Sequence, residues 1–247
     1  MKKGTLIILS FTVLVFIISG CGKDEGVCVS STGKVITQDR GNTPFSRIYV
    51  NDNINLILTQ DPAINKIVVE AGENLIDGIT TKIDSGKLVL RNENSCNWLR
   101  SFKVPVNVYL TFTKLDTISF SAAGNITCTN DLTNGSFYLE VIEGSGHIDL
   151  KLQTYRSFFF LPSGTTLVTA TGISEVTTVI SSSFGPFHAE DLESKFTYIS
   201  TNSPNDIFVS SSVELDVKIG NIGDVYYRGD PPGIMTEFTS DGRLIRL

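Results

Sequence analysis

The sequence predicts an all-β protein built as a parallel β-helix, or β-solenoid, with about 20 residues per turn, preceded by a lipoprotein signal peptide. Two columns of apolar residues and one column of turn residues recur at the same interval after residue 115. Between them lie short stretches in which apolar and polar residues alternate, which is typical of strands. A single unit of this size is too small to bury its own apolar face, so stacking of successive units is expected.

The three columns are defined by their position around each turn. The first contains the apolar residue that follows the turn: Ile126, Ile148, Val168, Phe187, Ile207, Val225 and Leu244. The second contains the apolar residue that enters the turn: Phe120, Ile142, Phe160, Ile180, Ile199, Ile219 and Phe238. The third lies in the turn itself: Gly124, Gly146, Gly164, Gly185, Asn205, Gly223 and Gly242. We expect both apolar columns to face the interior, with equivalent side chains stacked along the axis.

A β-sandwich is the competing fold, because several short strands at regular spacing also describe one. A sandwich would pair its strands antiparallel and would not stack like residues on one another. The register shared by the columns favours the solenoid.

The first residues predict export and a lipid anchor. Lys2 and Lys3 precede an uncharged, largely apolar stretch over residues 4–20, which is short for a membrane-spanning helix and suits a signal peptide. This stretch ends in Ile18-Ser19-Gly20-Cys21, which resembles the bacterial lipobox, where a peptidase cuts before a diacylated cysteine. Cys21 is therefore the predicted lipidation site, and acyl chains there would hold the protein at a membrane.

The resulting division of the chain has three parts. Residues 1–20 are the predicted signal peptide, residues 21–40 a tether, and residues 41–247 one solenoid domain. Within the domain, residues 41–114 are less regular and are expected to continue or cap one end of the stack, while residues 115–247 form the regular coils. After Cys21, the sequence Lys23-Asp24-Glu25 resembles a signal that directs some lipoproteins to the outer face of the outer membrane. The predicted location is thus the outer membrane, with the protein facing either the periplasm or the cell exterior.

The cysteines permit at most one disulfide once Cys21 is acylated. Cys128 alternates with Ile126 in an apparent strand, which indicates a buried free thiol. Cys28 and Cys96 are the remaining pair, and the exported location would allow them to oxidise. Their geometry is not determined by the sequence.

Short motifs along residues 35–247 resemble those of a known family. They are Phe45-x-x-Ile48-x-Val50, Asn74-Leu75-Ile76, Gly86-Lys87-Leu88, the Gly-x-Ile or Gly-x-Val turns, and the ending Tyr227-Arg228-Gly229-Asp230-Pro231. In this order they resemble the head GIN domain family of autotransporter-adhesin-like lipoproteins. The resemblance implies a β-helix and a surface or adhesive role, and it supplies no catalytic residues.

Composition narrows the functional classes. The net charge of -6 argues against a nucleic-acid partner, and 41% hydrophobic residues argue against a disordered chain. The histidines, His147 and His188, are two turns apart, too far to share a metal ion, and no cofactor-binding motif is present. We therefore predict a protein without metal or cofactor.

One outward column predicts a binding surface. Phe208, Tyr226 and Ile245 follow the anchor residues of the last three coils and would form an exposed apolar ladder. A register slip by one residue would bury them instead. A second outward column contains Asp206, Asp224 and then Arg243, where two neighbouring carboxylates could act as acid and base, or could form a solvated turn ladder.

These features predict a non-enzymatic, lipid-anchored envelope protein that acts as an adhesin or as a module binding a glycan or a protein of the envelope or of a host surface. The alternative is a polysaccharide-active β-helix enzyme, a lyase or hydrolase, that uses Asp206 and Asp224. The tripeptide Arg228-Gly229-Asp230 matches an integrin-binding motif, but a structural turn before Pro231 explains it as well.

Overall fold

The computed structural model describes residues 32–94 and 104–247, which form strands with a single 3₁₀ turn at Ile76–Gly78. The first nine strands are β1 Val35–Asp39, β2 Arg47–Asp52, β3 Asn55–Gln60, β4 Lys66–Gly72, β5 Ile79–Asp84, β6 Lys87–Asn92, β7 Asn107–Phe112, β8 Thr117–Ala123 and β9 Ile126–Cys128. The other nine are β10 Leu132–Ser145, β11 His147–Leu161, β12 Leu167–Ser181, β13 Phe187–Thr201, β14 Ile207–Ser210, β15 Glu214–Ile219, β16 Val225–Arg228, β17 Gly233–Phe238 and β18 Leu244–Arg246.

The regular part is a parallel β-solenoid of about six turns with about 20 residues per turn. Each member of the first apolar column pairs with the next across neighbouring coils, from Ile126 opposite Ile148 to Val225 opposite Leu244. All but Leu244 are buried. The predicted solenoid is therefore confirmed, and its parallel register excludes the sandwich.

Every coil bends once, which divides the solenoid into two sheet faces. Face A contains β9, β14, β16, β18 and the first halves of β11 to β13, and face B contains β8, β15, β17 and the second halves of β10 to β13. At the bends of β11, β12 and β13 two consecutive inward positions carry hydroxyls, and in β11 Thr154 and Ser157 bond to each other at 2.7 Å. These hydroxyls bond to one another or to backbone carbonyls where the chain leaves regular alternation, so their burial is compensated.

The second apolar column differs from the prediction by one residue in three coils. Val141, Leu161 and Ser181 point inward, whereas Ile142, Phe160 and Ile180 point outward on face B. Ile199 is buried but pairs with Val217 rather than with Ile219. In each of these coils the predicted residue has an apolar neighbour, Val141, Leu161 or Val179, that is buried instead, so the pattern alone does not determine which of the two faces the interior.

The turn column is also corrected at one position. An ideal Cβ on Gly164 would meet the backbone of Gly144, whereas one on Gly185 would meet that of Thr166. Thr166 therefore takes the place predicted for Gly164, between Gly146 and Gly185. The other glycines of the column stack as predicted, and an ideal Cβ on each of them would collide with the backbone of the coil below.

The N-terminal coils do not stack in chain order. The coil made of β2 and β3 lies between the coil of β6 and β7 below it and the coil of β8 and β9 above it. Below these, β5 pairs antiparallel with β6, while β4 pairs antiparallel with β7 and then with β1. These antiparallel strands end the stack with buried residues such as Ile67 and Ile79.

The tether prediction needs correction at its end, because Val35–Asp39 forms strand β1 rather than linker. Ordered structure thus begins inside the segment 21–40. Among the helical segments within the described residues, none is both long and apolar enough to cross a membrane.

Candidate functional site

The residues predicted to bind a ligand lie in one register on face A. Phe208 pairs with Tyr226 and Tyr226 with Ile245, and below them His188 pairs with Phe208. The ring of Phe208 stacks on His188 at 4.5 Å and on Tyr226 at 4.7 Å between centroids. Stacking within the ladder therefore covers the flat sides of the rings, and these half-buried rings present mainly their edges to solvent.

The carboxylates of the enzyme hypothesis serve the stacking of the turns. Asp206 accepts a hydrogen bond from the Asp224 backbone N–H at 3.0 Å, and Asp224 accepts one from the Arg243 N–H at 2.8 Å. The Arg243 guanidinium also pairs with Asp224 at 2.8 Å. Hydrogen bonding from Arg243 lowers the pKa of Asp224, so this carboxyl is a poor proton donor near neutral pH. The arrangement is that of a turn ladder.

Other polar candidates already have partners in neighbouring coils or in their own strand. Arg228 pairs with Asp191, and Asp230 pairs with Arg246 at 3.0 Å, so both charged ends of the Arg-Gly-Asp tripeptide have partners. His188 contacts Glu190 at 3.2 Å. Within residues 32–94 and 104–247, no three His, Cys, Asp or Glu side chains lie close enough to hold a metal ion.

The structure reveals a groove on face B that was not predicted from the sequence. It has a volume of about 830 Å³ and crosses the coils from Thr117 to Tyr198. Five aromatic residues line it, and four of them are partly exposed: Tyr138, Phe158, Phe196 and Tyr198. Phe137, deep in the same wall, is buried. The groove therefore combines length with an aromatic lining.

A single small residue opens a slot in this lining. Tyr138, Phe158, Thr178 and Tyr198 occupy successive coils in one outward register. Tyr138 and Phe158 stack at 5.2 Å between centroids, and Thr178 interrupts the stack above them. Since coils are about 4.8 Å apart, Phe158 and Tyr198 are separated by about 10 Å along the axis. The gap over Thr178 therefore lies between Phe158 and Tyr198. The recurrence of aromatic residues at this position in successive coils is visible in the sequence and could have indicated the groove.

Polar groups border the groove on both sides. Arg156 stands in the neighbouring column, below Val176 and Phe196, and its guanidinium lies over the Tyr155 ring at 5.6 Å. At the lower end Lys114 pairs with Asp116 at 2.8 Å. Burial and a hydrogen bond to Glu214 raise the pKa of Tyr198, and its single O–H is the donor in that bond.

Three of the four cysteines, Cys21, Cys28 and Cys96, lie outside the described residues, so the predictions that concern them stay predictions. Cys128 is a free, partly exposed thiol that packs against the core. Desolvation by burial raises its pKa to about 11.

Comparison with known proteins is consistent with this architecture. A putative adhesin from Bacteroides fragilis NCTC 9343 superimposes with a TM-score of 0.80 at 21% identity, covering 87% of this chain and 97% of that one. A putative lipid binding protein from Parabacteroides distasonis ATCC 8503 gives 0.70 at 16% identity, covering 88% and 98%. A putative adhesin from the same organism gives 0.66 at 14%, covering 87% and 98%. At these identities the likeness shows the fold alone.

Curated protein sequences provide no match. A family model, however, matches residues 44–231, which is most of the chain and contains both the face B groove and most of the face A ladder. The chain therefore belongs to the family described as putative auto-transporter adhesin, head GIN domain.

Proposed function

We propose that the protein is a non-enzymatic, lipid-anchored adhesin-like module that binds glycans in the face B groove. The observation that carries this proposal is the slot over Thr178, bordered by the rings of Phe158 and Tyr198. A separation of about 10 Å between these two residues along the axis leaves room for one further ring between them. The family's adhesin-like character supports a role at the cell surface.

A pyranose ring suits this slot for an electrostatic reason. Its C–H groups carry slight positive charge, and the face of an aromatic ring carries negative charge, so the two attract when stacked. The sugar hydroxyls would meet Arg156 and the Tyr198 hydroxyl at the rim. The groove crosses several coils, so a polysaccharide could lie along it with one sugar in the slot.

The lipid anchor is the second part of the proposal. It is supported by the lipobox-like ending at Cys21, which precedes the first strand by a short segment. Mass spectrometry of the mature N-terminus should find an acylated Cys21, and Cys21→Ser should release the protein from the membrane fraction. An unmodified N-terminus on a membrane-bound protein would contradict this part.

Binding should be tested with an array of bacterial and host polysaccharides, followed by titration calorimetry of the best match. We expect Phe158→Ala and Tyr198→Ala each to weaken binding about tenfold or more, which corresponds to about 1.4 kcal/mol. Thr178→Phe should abolish binding without loss of stability, because the new ring would fill the slot and complete the stack. The matched control is Phe184→Ala, since Phe184 is an exposed turn residue outside the groove.

Two results would contradict the proposal. Binding that survives Thr178→Phe would show that the slot is not the site. Binding that is lost in Phe208→Ala but kept in Phe158→Ala would move the site to the face A ladder.

A further inference from the structure

The two ends of the solenoid are closed to different extents. At the N-terminal end the outermost strand β1 is exposed, with Val35 at 56% and Ile36 at 40%, but Ile67 and Val69 of the next strand, β4, and Ile79 of β5 are buried. At the C-terminal end, Ile234 and Phe238 of β17 are 44% and 48% exposed, although they stack on Leu215 and Ile219, which are fully buried. The last coil therefore presents core side chains to solvent.

The same end carries two free strand edges. The Gly233 and Thr239 N–H groups bond to the strand below, at Val213 and Ile219, so the alternate residues Ile234, Thr236 and Phe238 direct their backbone groups to the open edge. In β18 the Leu247 N–H bonds to Tyr227, which leaves Leu244 and Arg246 directed outward in the same way. Free edges with apolar side chains beside them are sites for pairing with another strand.

We propose that this open end joins a second copy of the chain, end to end, around a two-fold axis. An axis through Thr236 of β17 and Ile245 of β18 would extend both faces as antiparallel sheets across the contact. Ile234 would then lie opposite Phe238 of the other copy, and Thr236 opposite its equivalent. In β18, Leu244 would lie opposite Arg246.

The surface is self-complementary in three respects. Every residue that directs its backbone to the edge meets another that does so, in both strands, so the hydrogen bonds can form throughout. The apolar side chains of Ile234 and Phe238 cover each other. The charged residues of the edge, Glu237 and Arg246, lie opposite Met235 and Leu244, so no like charges face each other directly.

The first described residue lies at the N-terminal end of the solenoid. This favours a second copy of the chain as the partner of the open C-terminal end. Thr32, the first described residue, bonds to Asn74 in the N-terminal layers. Strands β6 and β7, which flank residues 95–103 in the sequence, lie below the coil of β2 and β3. The paired molecules would therefore direct their N-terminal ends away from each other.

The test is the mass of the full chain in detergent, measured by light scattering after gel filtration, together with a disulfide trap. We expect a dimer, and we expect Ile234→Lys to weaken it about tenfold or more because it would place two buried charges in the contact. Ile173→Lys is the matched control, since Ile173 is equally exposed (46%) in the middle of the solenoid. Thermal melts should show both variants folded.

The trap uses Thr236→Cys, because equivalent residues of a hydrogen-bonded antiparallel pair lie about 5.5 Å apart between Cα atoms, within disulfide range. We expect a covalent dimer on mild oxidation, which the wild type and the exposed mid-face variant Ser200→Cys should not form. A monomer at all concentrations, an open-ended polymer, a dimer insensitive to Ile234→Lys, or a trap no better than Ser200→Cys would each overturn the proposal.

Discussion

Three glycines differ in whether a positive φ or a close contact requires glycine at their position. Gly135 has open space around it and no positive φ, so a methyl group meets nothing. Gly86 also has open space but adopts φ 75° in the turn between β5 and β6. Gly185 lacks a positive φ, yet an ideal Cβ on it would lie 2.7 Å from the carbonyl carbon and 2.9 Å from the nitrogen of Thr166, and closer still to the Thr166 oxygen.

The alanine variants should differ accordingly. Gly135→Ala should stabilise the fold by about 0.4–1 kcal/mol, because it restricts the unfolded chain. Gly86→Ala should cost about 1–2 kcal/mol, the usual penalty for a left-handed residue with a Cβ. Gly185→Ala should cost about 3 kcal/mol, since neighbouring coils must move apart by about 1 Å.

The cost of about 3 kcal/mol for Gly185→Ala arises mainly from two hydrogen bonds beside Gly185. The Phe184 N–H bonds to Gly164 at 2.8 Å and the Val168 N–H to Pro186 at 3.1 Å. Separating the coils by about 1 Å would break both, at about 1 kcal/mol each, and the remaining strain would add about 1 kcal/mol more.

Thermal unfolding followed by circular dichroism provides the measurement. About 3 kcal/mol corresponds to a decrease in Tm of about 6–12 °C for a domain of this size. If Gly185→Ala were as stable as Gly135→Ala, Gly185 would not lie against Thr166, and the turns of neighbouring coils would not stack in this register.

Three further predictions concern the interior and its titrating groups. Phe187→Ala should cost about 3–5 kcal/mol in urea unfolding, since Phe187 is buried against Phe159 at 4.9 Å between centroids; a cost below about 1 kcal/mol would contradict its interior position. Asp224 has a lowered pKa, so the stability that its charge contributes is present above the ordinary carboxyl pKa and is lost as the pH falls toward the lowered value. The difference in urea midpoint between the wild type and Asp224→Asn should therefore shrink from about pH 7 to about pH 3. A difference that stays constant over this range would refute the charge interaction. Cys128, with its pKa raised to about 11, should react slowly with iodoacetamide at about pH 8 in the native protein and quickly in urea, as peptide mass mapping would show. Rapid labelling of the native protein would contradict the raised pKa.

The solenoid and its first apolar column were predictable because each anchor residue is an isolated apolar position just after a turn, as at Ile148 and Ile207. The second column was not, because Phe158, Phe159 and Phe160 are all aromatic and only the packing decides that Phe159 faces the core. A slip of one residue leaves the apolar pattern of such a run unchanged but exchanges its two faces.

The sequence also placed Phe208, Tyr226 and Ile245 in one register and brought Asp206, Asp224 and Arg243 into one turn column. What these groups do there depended on distances: the ladder rings stack on one another, and Asp224 is committed to Arg243. The groove was not predicted, although its aromatic residues recur at the coil interval, because the run of Phe158, Phe159 and Phe160 leaves open which residue faces outward.

By itself, then, the sequence determined the repeat, the strand content and the family, because these follow from local periodicity and turn chemistry. Only the tertiary structure decided the order of the N-terminal coils, the slot over Thr178 and the open edge at β17. Those features arise from pairing between residues far apart in the chain, and local patterns contain no information about which distant edge a strand will join.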